Sequence, residues 1–223
     1  MPDITFVSLT SSTTRQLQST LTEHKGYSFS FSNTSIDTID DLNYDVVVSP
    51  ANSFGGLKGG IDMRYYLNLG KAELQKYVFD RIKNYHAGEI LVGSSALINL
   101  RKVNPKIKTG PKYLLLCPTM TVPGDVSGTR NAYLYTRAMI DGLRVLKACD
   151  KSIRTVLCPI PCVGVGCMKP KIATFQMETA FAAYEGTGLI HAIFGHNPGK
   201  YVEFSDSFDQ NMKIAHIQLI NGR

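Results

Sequence analysis

The chain has 223 residues, a hydrophobic fraction of 43% and a formal net charge of +6. That size and apolar content suit one large globular domain and exclude global disorder, and no apolar run approaches the about 20 residues a membrane span needs, so no membrane partner is expected. The lysines and arginines are scattered, and the densest stretch, residues 101–108, reads as a solvated loop; charge alone does not single out a polyanion.

In chain order, residues 4–9 read as a first strand. Residues 11–24 read as a helix with Leu17 and Leu21 on one face. Residues 27–32 alternate serine with aromatics, the period of a half-buried strand. Asp45-Val46-Val47-Val48 is a β-branched run suited to a buried central strand. A glycine-rich loop over residues 53–60 follows. A helix is expected over roughly 71–86, because Leu74, Val78 and Ile82 recur at four-residue steps. Residues 89–100 and 112–117 read as two further strands, 129–149 as a long helix and 153–160 as another strand. Residues 161–168 form a second small-residue loop. A last helix is expected over 169–184, with Pro170 in its first turn.

Strands alternating with helices predict a layered α/β fold around a mixed, largely parallel sheet. Residues 1–185 are expected to form the domain. Residues 186–223, less regular, are expected to be a C-terminal extension packed on it.

The first six residues lack the basic-then-apolar layout of a secretory signal. The five cysteines are odd in number and show no framework spacing. An intracellular location, cytoplasmic or nuclear, is therefore expected, with free thiols. Cys158, Cys162 and Cys167 lie close together but form no CxxC pair and have no histidine near them in sequence. No metal and no cofactor are expected.

In an open α/β sheet, ligands bind beyond the carboxyl ends of the strands. Both glycine loops leave such ends. Glycine lets backbone N–H groups approach a ligand, so two such loops side by side suit a diphosphate; tight turns alone would also explain them. Neither a Walker motif nor GxGxxG is present. Asp62, beside the first loop, can orient a water as a general base or cap a helix start. Asn52, just past the strand, reads as a ligand contact ahead of a plain turn residue. Cys162 is a thinner candidate nucleophile, with no partner base in view. Asp125 reads as a turn residue.

The run Asp45-Val46-Val47-Val48-Ser49-Pro50-Ala51-Asn52-Ser53-Phe54-Gly55-Gly56-Leu57-Lys58-Gly59-Gly60-Ile61-Asp62 resembles the signature of macro domains, and of their branch with a Ser-Pro-Ala-Asn-Ser-Phe-Gly start in particular. The segment Cys158-Pro159-Ile160-Pro161-Cys162-Val163-Gly164-Val165-Gly166 resembles the family's second loop. The likeness runs in order from Ile4 to Tyr184. It implies a three-layer α/β/α macro-domain-like fold whose ligand is ADP-ribose or a derivative, free or carried by an ADP-ribosylated protein.

By that resemblance, Asn52 contacts the distal ribose, and Gly59, Gly60 and Ile61 line the ribose and phosphates. Gly164, Val165, Gly166 and Cys167 hold the diphosphate by backbone amides. Met168 falls where an aromatic often covers the sugar, and Ile36 faces the phosphate side. Asp62 matches the acidic residue that hydrolytic members place near the scissile bond. Ser49 stands where many members have a first asparagine. The adenine-reading aspartate has three candidate positions, Ser35, Asp37 and Thr38, so the resemblance speaks for the ribose–diphosphate half of the ligand more than for the base. The leading expectation is hydrolysis of ADP-ribose 1''-phosphate or of protein-linked ADP-ribose. The alternatives are a non-catalytic reader of ADP-ribose or of ADP-ribosylated proteins and, third, a basic nucleic-acid-binding domain, for which no aromatic-and-basic platform is present.

Overall fold

The computed structural model describes residues 2–184, apart from 22, 25, 39 and 106–108. The expected extension over 186–223 lies outside the described residues. A six-stranded sheet has the order β2-β1-β6-β3-β5-β4. Its strands are β1 (Asp3–Val7), β2 (Ser28–Ser32), β3 (Val46–Ser49), β4 (Ala96–Asn99), β5 (Tyr113–Leu116) and β6 (Thr155–Pro159). All neighbours are parallel except β4, which runs antiparallel to β5 at the edge.

Alternation along the strands sorts side chains onto two faces. Val46, Val48, Leu115, Val156 and Cys158 pack with α1 (Ser11–Thr20), α5 (Asn131–Cys149) and α6 (Pro170–Tyr184), through Leu17, Tyr135, Leu143, Met177 and Phe181. Val47, Leu114, Leu116 and Leu157 pack on the other face with α2 (Gly60–Leu69) and α3 (Lys71–Tyr85), through Tyr65, Leu69, Leu74, Val78 and Ile82. The result is the expected α/β/α sandwich. A short helix, α4 (Leu100–Val103), caps the exit of β4. Among the described residues no helix is long and apolar enough to cross a membrane.

Three expectations are corrected. The strand expected over 89–100 is confined to Ala96–Asn99, because Gly93 takes a left-handed φ of 98° and the chain turns before pairing. The first helix stops at Thr20; Leu21 is extended, and the chain leaves the helix so that His24 is buried between Phe29 and Phe181 and pairs with Glu178 at 3.0 Å. An additional helix, α2, precedes the one expected at residue 71. Gly70, with φ 140°, ends α2 and starts α3, so the two form an elbow.

Candidate functional site at the carboxyl edge of the sheet

β6, β3 and β5 are neighbours running the same way, so the loops after them emerge side by side. The chain after β3 keeps its pairing with the β5 exit beyond the strand proper. The N–H of Cys117 donates to the Ser49 carbonyl at 2.9 Å, that of Thr119 to Ala51 at 3.2 Å, and that of Ser53 to Met120 at 2.9 Å. This continuation carries Asn52 past the sheet edge before the glycine loop begins.

Asn52 serves the loop through one end of its amide. Its Oδ1 accepts from the N–H groups of Phe54 (3.0 Å) and Gly56 (3.3 Å), an Asx turn, while among the described residues its Nδ2 makes no hydrogen bond. Gln75, buried on α3, holds the same loop from beneath: its Nε2 donates to the Gly55 carbonyl at 2.8 Å and its Oε1 accepts the Leu57 N–H at 2.9 Å. Gly55 has φ 72°, and a Cβ there would lie 2.5 Å from Ile82 and 2.6 Å from Val78, so backbone and helix are in direct contact. Gly59 and Gly60 differ: a Cβ on either would meet nothing within 4 Å. Their backbone faces open space at the start of α2, where unpaired N–H groups and the helix dipole favour an anion.

Asp62 is the third residue of α2, 6% exposed. It does not cap the helix. Its Oδ1 accepts from the Ser49 hydroxyl at 2.6 Å, and Ser49 itself is fully buried at the end of β3. Strand alternation explains the meeting, since Val47 and Ser49 point to the face that α2 covers. Burial pushes the Asp62 carboxyl up to about 7, and the Ser49 hydrogen bond offsets part of that rise. Next to it, the Tyr65 hydroxyl donates to the Val48 carbonyl at 3.1 Å. Burial, and then the charge of Asp62, raise its pKa well above the ordinary range, so the phenol stays protonated. Ile61 is half-buried against the α2–α3 face.

The second loop holds its own shape. The Met168 N–H donates to the Cys162 carbonyl at 2.9 Å, and the Cys167 N–H to Gly164 at 2.9 Å; Cys162 and Cys167 both take left-handed φ, 66° and 54°. A Cβ on Gly166 would sit 2.7 Å from the Cys162 carbonyl, and the Gly166 carbonyl accepts from the Val126 N–H at 3.0 Å. Gly166 is therefore a packing glycine, whereas Gly164 has nothing within 4 Å. Val165 is 59% exposed at the loop tip, and Phe54 is likewise exposed on the first loop. Met168 is 1% exposed in a small cluster with Met120, Val126 and Ile172, so its thioether props the loop from below and does not present itself to cover a sugar.

Ile36 is buried in the cluster that contains Val7, Ala51 and Leu57, so only its backbone is available toward the site. The three base-recognition candidates lie in the exposed segment beside it. Asp37 pairs with Arg64 of α2 at 3.3 Å and accepts from Ser35, while the N–H and hydroxyl of Thr38 donate to Asp41. Burial lifts the Cys162 thiol to about 12, which removes it as a nucleophile near neutral pH. Asp125 accepts from the Ser127 N–H at 2.7 Å, as a turn residue does. Among the described residues no three His, Cys, Asp or Glu side chains gather to hold a metal.

Two of these groups go beyond the expectations from sequence, Gln75 and the Ser49–Asp62 bond. Gln75 left a signal, a polar side chain at an apolar helical position next to Leu74. The Ser49–Asp62 bond left none without knowledge of where α2 packs.

No protein-family model and no curated protein matches the chain. Solved structures do. The macrodomain of Mycobacterium tuberculosis DarG superimposes with a TM-score of 0.50 at 18% identity, over 66% of this chain and 86% of that one. The Oceanobacillus iheyensis macrodomain is similar in two structures. One is a mutant with ADPR (TM-score 0.45, 15% identity, 67% of this chain and 87% of that one). The other has MES bound (TM-score 0.48, 13% identity, 81% and 86%). With its mixed six-stranded sheet between two helical layers, and its agreement with the DarG domain, this chain has the macrodomain fold.

Proposed function

We propose that this chain binds ADP-ribose through its ribose–diphosphate half and hydrolyses an ADP-ribose derivative, either the 1''-phosphate or ADP-ribose linked to a protein side chain. The observation that carries this reading is Asp62: a buried carboxyl with a pKa near 7, set where an open glycine loop enters a helix. Few arrangements suit a general base at neutral pH better. The ligand class rests on the motif from Asp45 to Asp62 together with the fold.

In this reading the N–H groups around Gly59, Gly60 and Ile61, and those of Gly164 and Val165, receive the diphosphate, while Gly166 and Cys167, whose N–H donates to the Gly164 carbonyl, hold the second loop in shape beneath it. The Asn52 Nδ2 donates to the distal ribose, and the Ile36 backbone borders the phosphates. Met168 supports the second loop. Asp62 takes a proton from water as the water oxygen bonds to the anomeric carbon or to phosphorus. The bond to the leaving group breaks, and that group leaves with the electron pair.

Since the base must be ionised, turnover rises with pH through about 7 and falls below it. Release of phosphate or ADP-ribose by wild type and Asp62→Ala tests the assignment; equal rates would sink it. Tight calorimetric binding of ADP-ribose with no turnover of either substrate would leave a reader instead. Absence of binding by every ADP-ribose derivative would remove the ligand. Affinity for nucleic acid falling steeply with salt would favour the third reading.

A further inference from the structure

We infer that Ser49 is a positioning residue: it turns Asp62 so that Oδ1 is saturated and Oδ2 is the oxygen offered to the reacting water. The inference rests on the reading of Asp62 as the base.

Among the described residues the Ser49 hydroxyl has two hydrogen-bonding neighbours, the Ala51 N–H at 3.3 Å and Asp62 Oδ1 at 2.6 Å. A backbone N–H can only donate, so the Ser49 oxygen accepts from Ala51. Its single proton is then directed at Asp62. Oδ1 must accept in either protonation state, and any proton Asp62 carries, or takes up from water, resides on Oδ2. The short separation is that of a hydrogen bond to a charged acceptor. Ser49 is itself fixed, being fully buried at the last position of β3 with its carbonyl accepting from Cys117 at 2.9 Å.

Little else acts on the carboxyl. From α2, Tyr65 lies near enough to feel its charge, but the phenol proton is committed to Val48. From β6, Cys158 influences Tyr65 and is held protonated by burial. The cations nearest in sequence are engaged elsewhere, Arg64 with Asp37 and Lys58 over the Tyr66 ring. Among the described residues, burial and the Ser49 hydroxyl are what set this group.

The test combines pH–rate profiles with NMR titration of the labelled Asp62 carboxyl, in wild type, Ser49→Ala, Ser49→Thr and Ser49→Cys. Loss of a hydrogen bond to a charged group moves the titration upward by about one to two pH units, a ten- to hundredfold loss of rate at pH 6. Ser49→Ala is expected to show that shift in both readouts, with a lower plateau kcat and an unchanged KM. Ser49→Thr keeps the hydroxyl and is expected to titrate like wild type. Ser49→Cys, a near isostere with a weak donor, falls between them and serves if Ser49→Ala does not fold. A titration and profile unmoved in Ser49→Ala, or in Ser49→Cys where that variant stands in, overturn the inference while leaving Asp62 as base. Wild-type turnover in Asp62→Asn overturns the base itself, and the catalytic meaning of Ser49 with it, even where the carboxyl titration still moves.

Discussion

In the loop after β3, side chains from elsewhere hold the backbone: Gln75 of α3 grips it on two sides, and Asn52 folds it into an Asx turn. In the loop after β6, among the described residues, the backbone holds itself, with two left-handed cysteines closing nested turns and a glycine pressed against a carbonyl. Both loops end in the same condition, an outer strand of glycine backbone with nothing above it, at Gly59, Gly60 and Gly164. The contrast separates support from contact. Glycines such as Gly55 and Gly166 are fixed by what lies beneath them, and only the others are free to answer to a ligand.

The largest expected effect falls on the side-chain-built half. Folded Asp62 has its pKa raised to about 7, above its unfolded value, so its contribution to stability is fully present below the unfolded pKa and is lost as pH rises through 7. Asp62→Asn should therefore be more stable than wild type at pH 8 by on the order of 3–4 kcal/mol, with the gap closing toward pH 4. Urea midpoints across that range measure it, and a constant gap would place the carboxylate in solvent.

Gln75→Ala comes next. It strands the Gly55 carbonyl and the Leu57 N–H beneath the loop, at a cost of about 2–4 kcal/mol. Guanidinium unfolding checks the loss, and a change under about 0.5 kcal/mol would break the contrast between the loops.

Gly166→Ala probes the backbone-built half. A methyl 2.7 Å from the Cys162 carbonyl forces the turns apart, for about 1–3 kcal/mol. ADP-ribose affinity should fall with it, as calorimetry would record.

Gly164→Ala is the smallest in stability and the most informative about ligand. With open space above it, the melting temperature should hold, a change within about 0.5 kcal/mol, while ADP-ribose binding weakens if the backbone meets phosphate. Unchanged affinity would confine the anion to the first loop.

The order of strands and helices was legible because apolar period and β-branched runs survive in each element. Three features were not: the stop of the first helix at Thr20, the presence of α2, and the late start of β4. α2 buries Asp62, Tyr65 and Leu69, so a carboxylate sits at one of its inward positions and masks the helical period. The run over 89–100 is apolar enough for a long strand, but the left-handed Gly93 cuts it. Within the site, Asn52 and Asp62 could be named because each follows a strand or a glycine loop. Whether Asp62 capped a helix or met another strand depended on the packing of α2 against β3, which no local pattern encodes. Met168 reads the same way from sequence whether it faces a ligand or a core; only the folded loop sends it inward.

The elbow at Gly70 joins the helix that carries Asp62 to the helix that carries Gln75, so past Ser53, which pairs with Met120, the first loop is shaped by side chains from one uninterrupted stretch. Its defining bonds span only 13, 18 and 20 residues. The second loop reaches its place through pairing of β3 with β6, whose bonded neighbours include Asp45 and Thr155, 110 residues apart. The entropy of closing a chain segment grows with its length, so long-range pairings carry the larger closure cost. The tip of one wall is thus tied by bonds that close short segments, while the other is placed by strands drawn together from across the domain.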